Sequence, residues 1–210
     1  MNRAELKSKA KAQIKGKIGI LFAITLVIGA ISFVAGLVLS FIPFGSFVAS
    51  IIITPAFTLS LVRVYLMVIG GKKPAVIDAF SGFDDFWSAF KVTFLVGLFT
   101  FLWSLLFIIP GIVKSLSYSM SLFILAENKG KGALECINES KNMTDGHKGE
   151  LFVLALSFIG WILLGYITFG IALIWVIPYM NATQANAYES LKPVVKATPA
   201  DDALVNESVE

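Results

Sequence analysis

Residues 18–42 read IGILFAITLVIGAISFVAGLVLSFI, 25 residues without a charged side chain. A helix of a soluble protein keeps a polar face, whereas this stretch is apolar on every side and exceeds the roughly 20 residues that cross a bilayer. The same lack of charge extends over three long stretches that only two cations interrupt, and it predicts an all-α, polytopic membrane helix bundle. The stretches are residues 18–69, 92–126 and 151–188, and the cations are Arg63 and Lys114.

The composition points away from a soluble enzyme. Of the 210 residues, 57% are hydrophobic and 15% are charged, and the mean hydropathy is +0.81, outside the balance of soluble domains. No Pro/Gly/Ser-rich linker separates the apolar stretches, so we expect a single membrane domain over residues 1–191. The run at 18–42 is much longer than the roughly 7 to 15 apolar residues of a signal peptide, which predicts an uncleaved first span. The only cysteine, Cys136, cannot form an internal disulfide and is interpreted as a reduced structural thiol.

The number of spans depends on the charges. Hydropathy alone suggests four spans, but four would place the lysines of residues 114–150 on the side opposite the N-terminus, against the positive-inside rule. If the second and third apolar stretches are helical hairpins instead, turning at Pro110-Gly111 and near residues 166–170, their outer turns carry no charge. This arrangement predicts a multi-pass membrane protein with both termini in the cytoplasm.

Six spans are therefore predicted, with a polar, flexible tail over residues 192–210. Three of them are only about 16 to 18 residues long, at the short end for crossing a bilayer, which is the main argument against six. The predicted spans are residues 18–42, 47–69, 92–109, 111–126, 150–166 and 170–188.

A short polar or amphipathic segment precedes each predicted hairpin. These segments are residues 3–17, 76–91 and 132–148, and they recur roughly every 60 to 70 residues. They are interpreted either as interfacial helices that lie on anionic headgroups or as ordinary connectors. The pattern predicts three similar units in topology, because sequence identity between them is slight.

Three short motifs resemble those of a known family. They are IPGIVK at 109–114 followed by Tyr118, LSFIGW at 156–161, and IPY at 177–179. With them the chain resembles an uncharacterised bacterial integral-membrane family, domain of unknown function 975. The resemblance implies a multi-span membrane protein of a Gram-positive type of bacterium and a distant likeness to membrane domains found beside glycerophosphodiester phosphodiesterases. It implies no catalytic residues.

Two cations are candidate ligand-binding residues. Arg63 lies near the inner end of the second span, where it either snorkels to the headgroups or pairs with a lipid phosphate or anionic substrate. Lys114 lies within one turn of the second outer turn, where it either reaches the outer headgroups or forms a binding site with Tyr118, four residues later.

The last predicted span carries a polar stripe. Asn181, Gln184 and Tyr188 follow the i, i+3, i+7 spacing of one helical face, and Pro178 frees a backbone carbonyl one turn upstream. Such side chains are costly in lipid and should face other helices or water. They are interpreted either as interhelical hydrogen bonds or as the lining of a ligand cavity.

The sequence contains few residues that could carry out enzymatic chemistry. His147 lies near three acidic residues, but the Asp145-Gly146 turn breaks the helical spacing that a metal site would need. Asp84 and Asp85 are adjacent and would point about 100° apart on a helix. We therefore expect no metal, no cofactor and no nucleic acid.

The sequence favours a non-catalytic membrane scaffold or accessory component, whose partners are membrane lipids and other membrane proteins or further copies of the chain. The alternative is a small transporter or binding protein for lipids or amphiphiles. In that case the second, fourth and sixth spans surround a polar vestibule facing the cytoplasm. An intramembrane enzyme is the third candidate.

Overall fold

The computed structural model describes residues 2–41 and 45–192, and within these ranges the chain is helical, with no strand. The all-α prediction is confirmed. Apart from Lys192, the predicted tail lies outside the described residues. The helices are α1 (Arg3–Ile14), α2 (Ile18–Leu39), α3 (Gly45–Ile69), a 3₁₀ segment (Val76–Asp85), α4 (Phe86–Leu106), α5 (Ile108–Tyr118), α6 (Ser121–Glu127), α7 (Ala133–Met143), α8 (Lys148–Leu156), α9 (Ile159–Ile167) and α10 (Leu173–Leu191).

Five of the described helical stretches are long and apolar enough to cross a membrane. The third candidate span has 31 residues, of which the first 10 form the 3₁₀ segment, and the fourth and fifth have 20 each. The crossing lengths of about 16 to 18 residues stay a prediction. The α10 helix has 19 residues but is not among the five, because its C-terminal half is polar. The candidate spans are Ile18–Leu39, Ile51–Ile69, Val76–Leu106, Ile108–Glu127 and Lys148–Ile167.

The second hairpin turns at Phe107 and not at the predicted Pro110-Gly111. Phe107 has extended backbone angles (φ −158°, ψ 148°) between α4 and α5. Pro110 lies in the first turn of α5, where a helix tolerates proline because the N–H has no intrahelical partner. Gly111 packs against Ser104 of α4, since a Cβ at Gly111 would lie 2.1 Å from the Ser104 Oγ. The Pro-Gly pair therefore closes the hairpin but does not form its turn.

The third hairpin turns where the sequence predicts. Phe169 and Gly170 both have positive φ angles, 49° and 88°, and the Gly170 N–H donates to the carbonyl of Gly165 (2.8 Å). The Phe169 side chain is 99% exposed. It marks the tip of the turn.

Each short segment that precedes a hairpin is helical and packs on the second helix of a hairpin. The 3₁₀ segment contacts α3, α7 contacts α5 and α6, and α1 contacts α10. The first two contacts join a segment to the hairpin before it in the chain. The third joins α1 to α10, so these contacts between the described helices form a closed ring.

The second helix of each hairpin shares one polar feature with the others. In each, a buried hydroxyl donates to the carbonyl one turn earlier, a bond that satisfies the hydroxyl without a distant partner. The bonds run from Ser60 to Ala56 (3.0 Å), from Ser117 to Val113 (2.9 Å) and from Thr183 to Tyr179 (2.7 Å).

The first and third units match most closely. Gly16 and Gly146 have positive φ angles of 78° and 75°, and each is followed by an N-cap residue with φ −112°, Lys17 and His147. The buried positions then correspond at a constant offset along the chain. The pairs are Leu6 with Cys136, Ala10 with Ser140, Ile14 with Thr144, Leu21 with Leu151, Ile24 with Leu154, and Ile28 with Phe158.

The buried core lies in the C-terminal halves of the second helices. Tyr65, Ile124 and Tyr188 are each at most 2% exposed, and they come from α3, α6 and α10. The opposite end of the molecule is apolar but exposed, as at Leu105 and Ile108 (75% and 76% exposed). We expect acyl chains to cover that end.

Candidate functional site

Arg63 has its counter-ion inside the protein. It lies on α3, is buried, and forms an ion pair with Asp85 while donating a second hydrogen bond to the carbonyl of Ser81. The side chains of Arg63 and Asp85 are only 10% and 16% exposed. The Arg63 Nε–H has no partner among the described residues. The sequence interpretations, snorkelling or a lipid phosphate, missed Asp85 as the partner.

The 3₁₀ segment reaches Arg63 because Gly82 lets its backbone touch α3. The Gly82 N–H donates to the Ser60 Oγ (2.8 Å), and a Cβ at Gly82 would lie 2.0 Å from the carbonyl oxygen of Ala56. Beside this contact, the rings of Phe57 and Phe83 meet edge to face at 5.1 Å. Backbone contact and ring packing together place the carboxylate of Asp85 at the guanidinium.

A cavity of about 520 Å³ opens beside Arg63, where α3, α6 and α10 end. Three cations and four carboxylates contribute to its wall, so the cavity offers no net attraction to an anion. Its charged lining residues are Arg63, Lys72, Lys129, Asp78, Asp84, Glu127 and Glu189.

Tyr188 joins α10 to α6 at the edge of this region. Its hydroxyl donates to the Glu127 Oε2 (2.7 Å) and its ring stacks on Phe123, with centroids 5.2 Å apart. The Lys192 Nζ donates to the other Glu127 oxygen (2.5 Å) and to Glu189 (2.8 Å). The ends of α6 and α10 therefore lie on the same side of the molecule.

The predicted polar stripe of α10 is divided between two faces. Asn181 and Gln184 line a separate cavity of about 210 Å³ beside α5 and α8, whereas Tyr188 contacts α6. The Tyr65 hydroxyl is buried close to Asn181 without a well-aligned hydrogen bond to any described residue, and Gln184 is exposed. The structure therefore does not bring the three predicted side chains into one site.

Asn186 was not selected from the sequence, yet it makes the polar contact that closes the ring. Its amide donates to the Gln13 Oε1 of α1 (2.6 Å) and to the carbonyl of Ala182 (2.8 Å). Gln13 in turn donates to the carbonyl of Ile69 at the end of α3 (3.2 Å). The side-chain amide of Gln13 thus forms hydrogen bonds with both α3 and α10.

Lys114 and Tyr118 lie apart from the other candidates. The Lys114 Nζ lies 4.5 Å from the centroid of the Trp103 ring, a cation–π contact between α5 and α4. The Tyr118 ring is buried and lies 6.2 Å from the ring of Phe99. Both side chains contact the neighbouring helix of their own hairpin.

The polar residues around His147 pair with one another. His147 contacts Glu150 (3.0 Å), and the hydrogen bond from Lys148 lowers the pKa of Asp145. No group of three or more potential metal ligands occurs within the described part of the chain. The Cys136 thiol is buried, and burial raises its pKa to about 11, so few thiolates form at neutral pH.

Replacing Asn181 and Gln184 of α10 should have unequal effects on stability. We expect Asn181→Leu to lower the free energy of unfolding by about 0.6 kcal/mol, a typical value for an interhelical polar contact. Gln184→Leu should leave it unchanged because Gln184 is exposed. Thermal unfolding in detergent, followed through the reaction of Cys136 with a thiol-reactive dye, measures both. Equal destabilisation by the two substitutions would contradict this assignment.

The fold defines an all-helical class of protein whose longest helices have the length and composition of membrane spans. The chain belongs to an uncharacterised family described as "Protein of unknown function (DUF975)", whose model matches residues 1–115 and 108–194. The resemblance seen in the sequence motifs is confirmed. No curated protein and no solved structure matches the chain.

Proposed function

We propose that this protein is a non-catalytic scaffold or accessory component of the bacterial cytoplasmic membrane. The observation that carries the proposal is that three buried polar side chains of the second helices have their partners within the protein, around a core filled by aromatic and aliphatic side chains. Arg63 pairs with Asp85, Tyr188 with Glu127 and Asn186 with Gln13.

The cavities support this proposal over the transporter alternative. A transport route would need one polar cavity that reaches both Arg63 and Gln184, but these residues line different cavities of about 520 and 210 Å³. Aromatic and aliphatic side chains fill the core between the inner halves of the second helices, where Tyr65 and Tyr188 are each 2% exposed. The larger cavity carries both signs of charge.

We further propose six spans with both termini in the cytoplasm. The Lys17 Nζ donates to the carbonyls of Val68 (3.3 Å) and Lys72 (3.0 Å), which places the start of α2 beside the end of α3. The bonds between Glu127 and Lys192 place the ends of α6 and α10 together in the same way. A crossing by α10 accounts for this shared side, with its polar half covered by α1 and α6.

Single cysteines in a Cys136→Ser protein test this topology. An impermeant thiol reagent added to intact cells should label cysteines at Phe107 and Phe169, in the outer turns of the second and third hairpins, and should label Lys73→Cys and Ser190→Cys only after permeabilisation. Labelling of Ser190→Cys from outside would show that α10 does not cross. Protection of both Phe107→Cys and Phe169→Cys would favour four spans.

Reconstitution distinguishes a scaffold from a transporter. In proteoliposomes, we expect the exchange of labelled phospholipid between leaflets to occur at the rate of protein-free liposomes. Chemical cross-linking in native lipid particles should yield a product of fixed stoichiometry with another membrane protein or a second copy. Faster exchange that Gln184→Leu reduces, together with a monomer free of cross-links, would establish the transporter alternative.

A further inference from the structure

A groove of about 400 Å³ lies between α1, the start of α2, α9 and α10. This volume is within the roughly 300 to 1,000 Å³ of sites that hold small organic ligands. It is separate from the charged cavity beside Arg63. Its lining residues are Lys11, Ile14, Lys15, Ile18, Trp161, Trp175, Val176 and Tyr179.

The rim of the groove is cationic. Lys11 lies in the last turn of α1 and Lys15 is the residue that follows its end, and both line the groove. Both are exposed, and neither forms an ion pair or hydrogen bond through its ammonium with a described residue. Other α1 lysines do have partners: Lys9 pairs with Glu5 (2.6 Å), and Lys7 donates to the carbonyl of Ser157 (3.4 Å). No carboxylate lines the groove, so its charge attracts an anion.

The wall of the groove is apolar and aromatic. Trp161 and Trp175 are 46% and 53% exposed, and Tyr179 meets the Trp161 ring edge to face at 6.2 Å. The Tyr179 hydroxyl has no hydrogen bond to any described residue, which leaves it available to a ligand. An amphiphile with an anionic head and a hydrocarbon tail matches a cationic rim above an aromatic wall.

We propose that this groove binds one anionic phospholipid, with its phosphate between Lys11 and Lys15 and an acyl chain along Trp161 and Trp175. The two lysines supply charge complementarity to the headgroup. Tyr179 donates to a polar oxygen at the base of the head. The site goes beyond the scaffold proposal and does not depend on it, because it concerns lipid selectivity rather than protein partners.

The tryptophans of the groove allow a direct test. In a Trp87→Phe/Trp103→Phe protein, only Trp161 and Trp175 fluoresce, and the phenylalanine that replaces Trp103 still offers an aromatic face to Lys114. The protein is reconstituted in phosphatidylcholine vesicles with increasing fractions of phosphatidylglycerol brominated on its acyl chains, which quenches tryptophans in contact with it. Brominated phosphatidylcholine in the same fractions is the reference lipid.

We expect the anionic lipid to quench with an apparent affinity on the order of tenfold higher than the zwitterionic lipid. Lys11→Gln/Lys15→Gln should remove this preference, and Lys11→Arg/Lys15→Arg should keep it. The matched control is Lys73→Gln/Lys141→Gln, which removes two exposed lysines outside the groove. Equal quenching by both lipids would overturn the proposal, and so would an equal loss of preference in the control.

Discussion

Gly82→Ala should lower the free energy of unfolding by about 3 kcal/mol, the upper end for overpacking of a close contact. The added methyl group would lie 2.0 Å from the carbonyl oxygen of Ala56 and 2.8 Å from the backbone nitrogen of Ser60. Backbone atoms of a helix cannot move aside as a flexible side chain can. The 3₁₀ segment must therefore shift away from α3, which stretches the Arg63–Asp85 pair and breaks the bond from Gly82 to Ser60.

The dye reaction of Cys136 reports this effect, because the buried thiol becomes accessible only when the protein opens. The melting temperature of Gly82→Ala in detergent should fall by several degrees. The matched control is Gly29→Ala in α2, where an added Cβ meets no atom within 4 Å and the change favours the helix. Similar melting temperatures for Gly82→Ala and wild type would show that the contact is looser than described.

Arg63→Met should be comparably destabilising, by about 3 to 5 kcal/mol, because it leaves Asp85 as a largely buried, unpaired carboxylate. Asp85→Leu should also lower the free energy of unfolding, because it leaves the Arg63 guanidinium buried without its counter-ion. The double substitution Arg63→Met/Asp85→Leu removes both charges, so we expect it to be less destabilising than the sum of the single changes. Unfolding in detergent measures all four proteins of the cycle.

Arg63→Lys separates internal pairing from lipid recognition. A lysine keeps the charge but cannot donate to Asp85 and to the Ser81 carbonyl in the fixed geometry of a guanidinium. We expect lower stability with unchanged retention of anionic phospholipid. Additive effects in the cycle, or lost lipid retention in Arg63→Lys, would contradict the internal ion pair.

The sequence predicts the class of fold well because the signal is local. An uncharged run such as residues 18–42 excludes water on every side of the helix, whatever the rest of the chain does. The short segments before each hairpin can also be predicted, since their polarity and spacing are local properties of the sequence. The position of the hairpin turn at Phe107 cannot be predicted in this way, because a Pro-Gly pair such as Pro110-Gly111 fits a loop and the first turn of a helix equally well.

The candidate site is less predictable because its partners are distant in sequence. Arg63 stands out in the sequence as a cation within an apolar stretch, but no local pattern identifies Asp85, 22 residues later, as its partner. Asn186 lies outside the i, i+3, i+7 spacing of Asn181, Gln184 and Tyr188, and its partner Gln13 is 173 residues away in the chain. A signal did exist: Pro178, Thr183 and Asn186 repeat the spacing of Pro55, Ser60 and Arg63.

The contact between α1 and α10 has a consequence for synthesis. Synthesis makes α1 before α10, the helix that packs against it on the side where Leu6, Ala10 and Ile14 are buried. Until then, α1 can only rest its apolar side on the membrane surface. Packing of α1 is therefore completed only after α10 has been translated, and a chain that stops before Asn186 leaves Gln13 without its hydrogen-bond partner on α10.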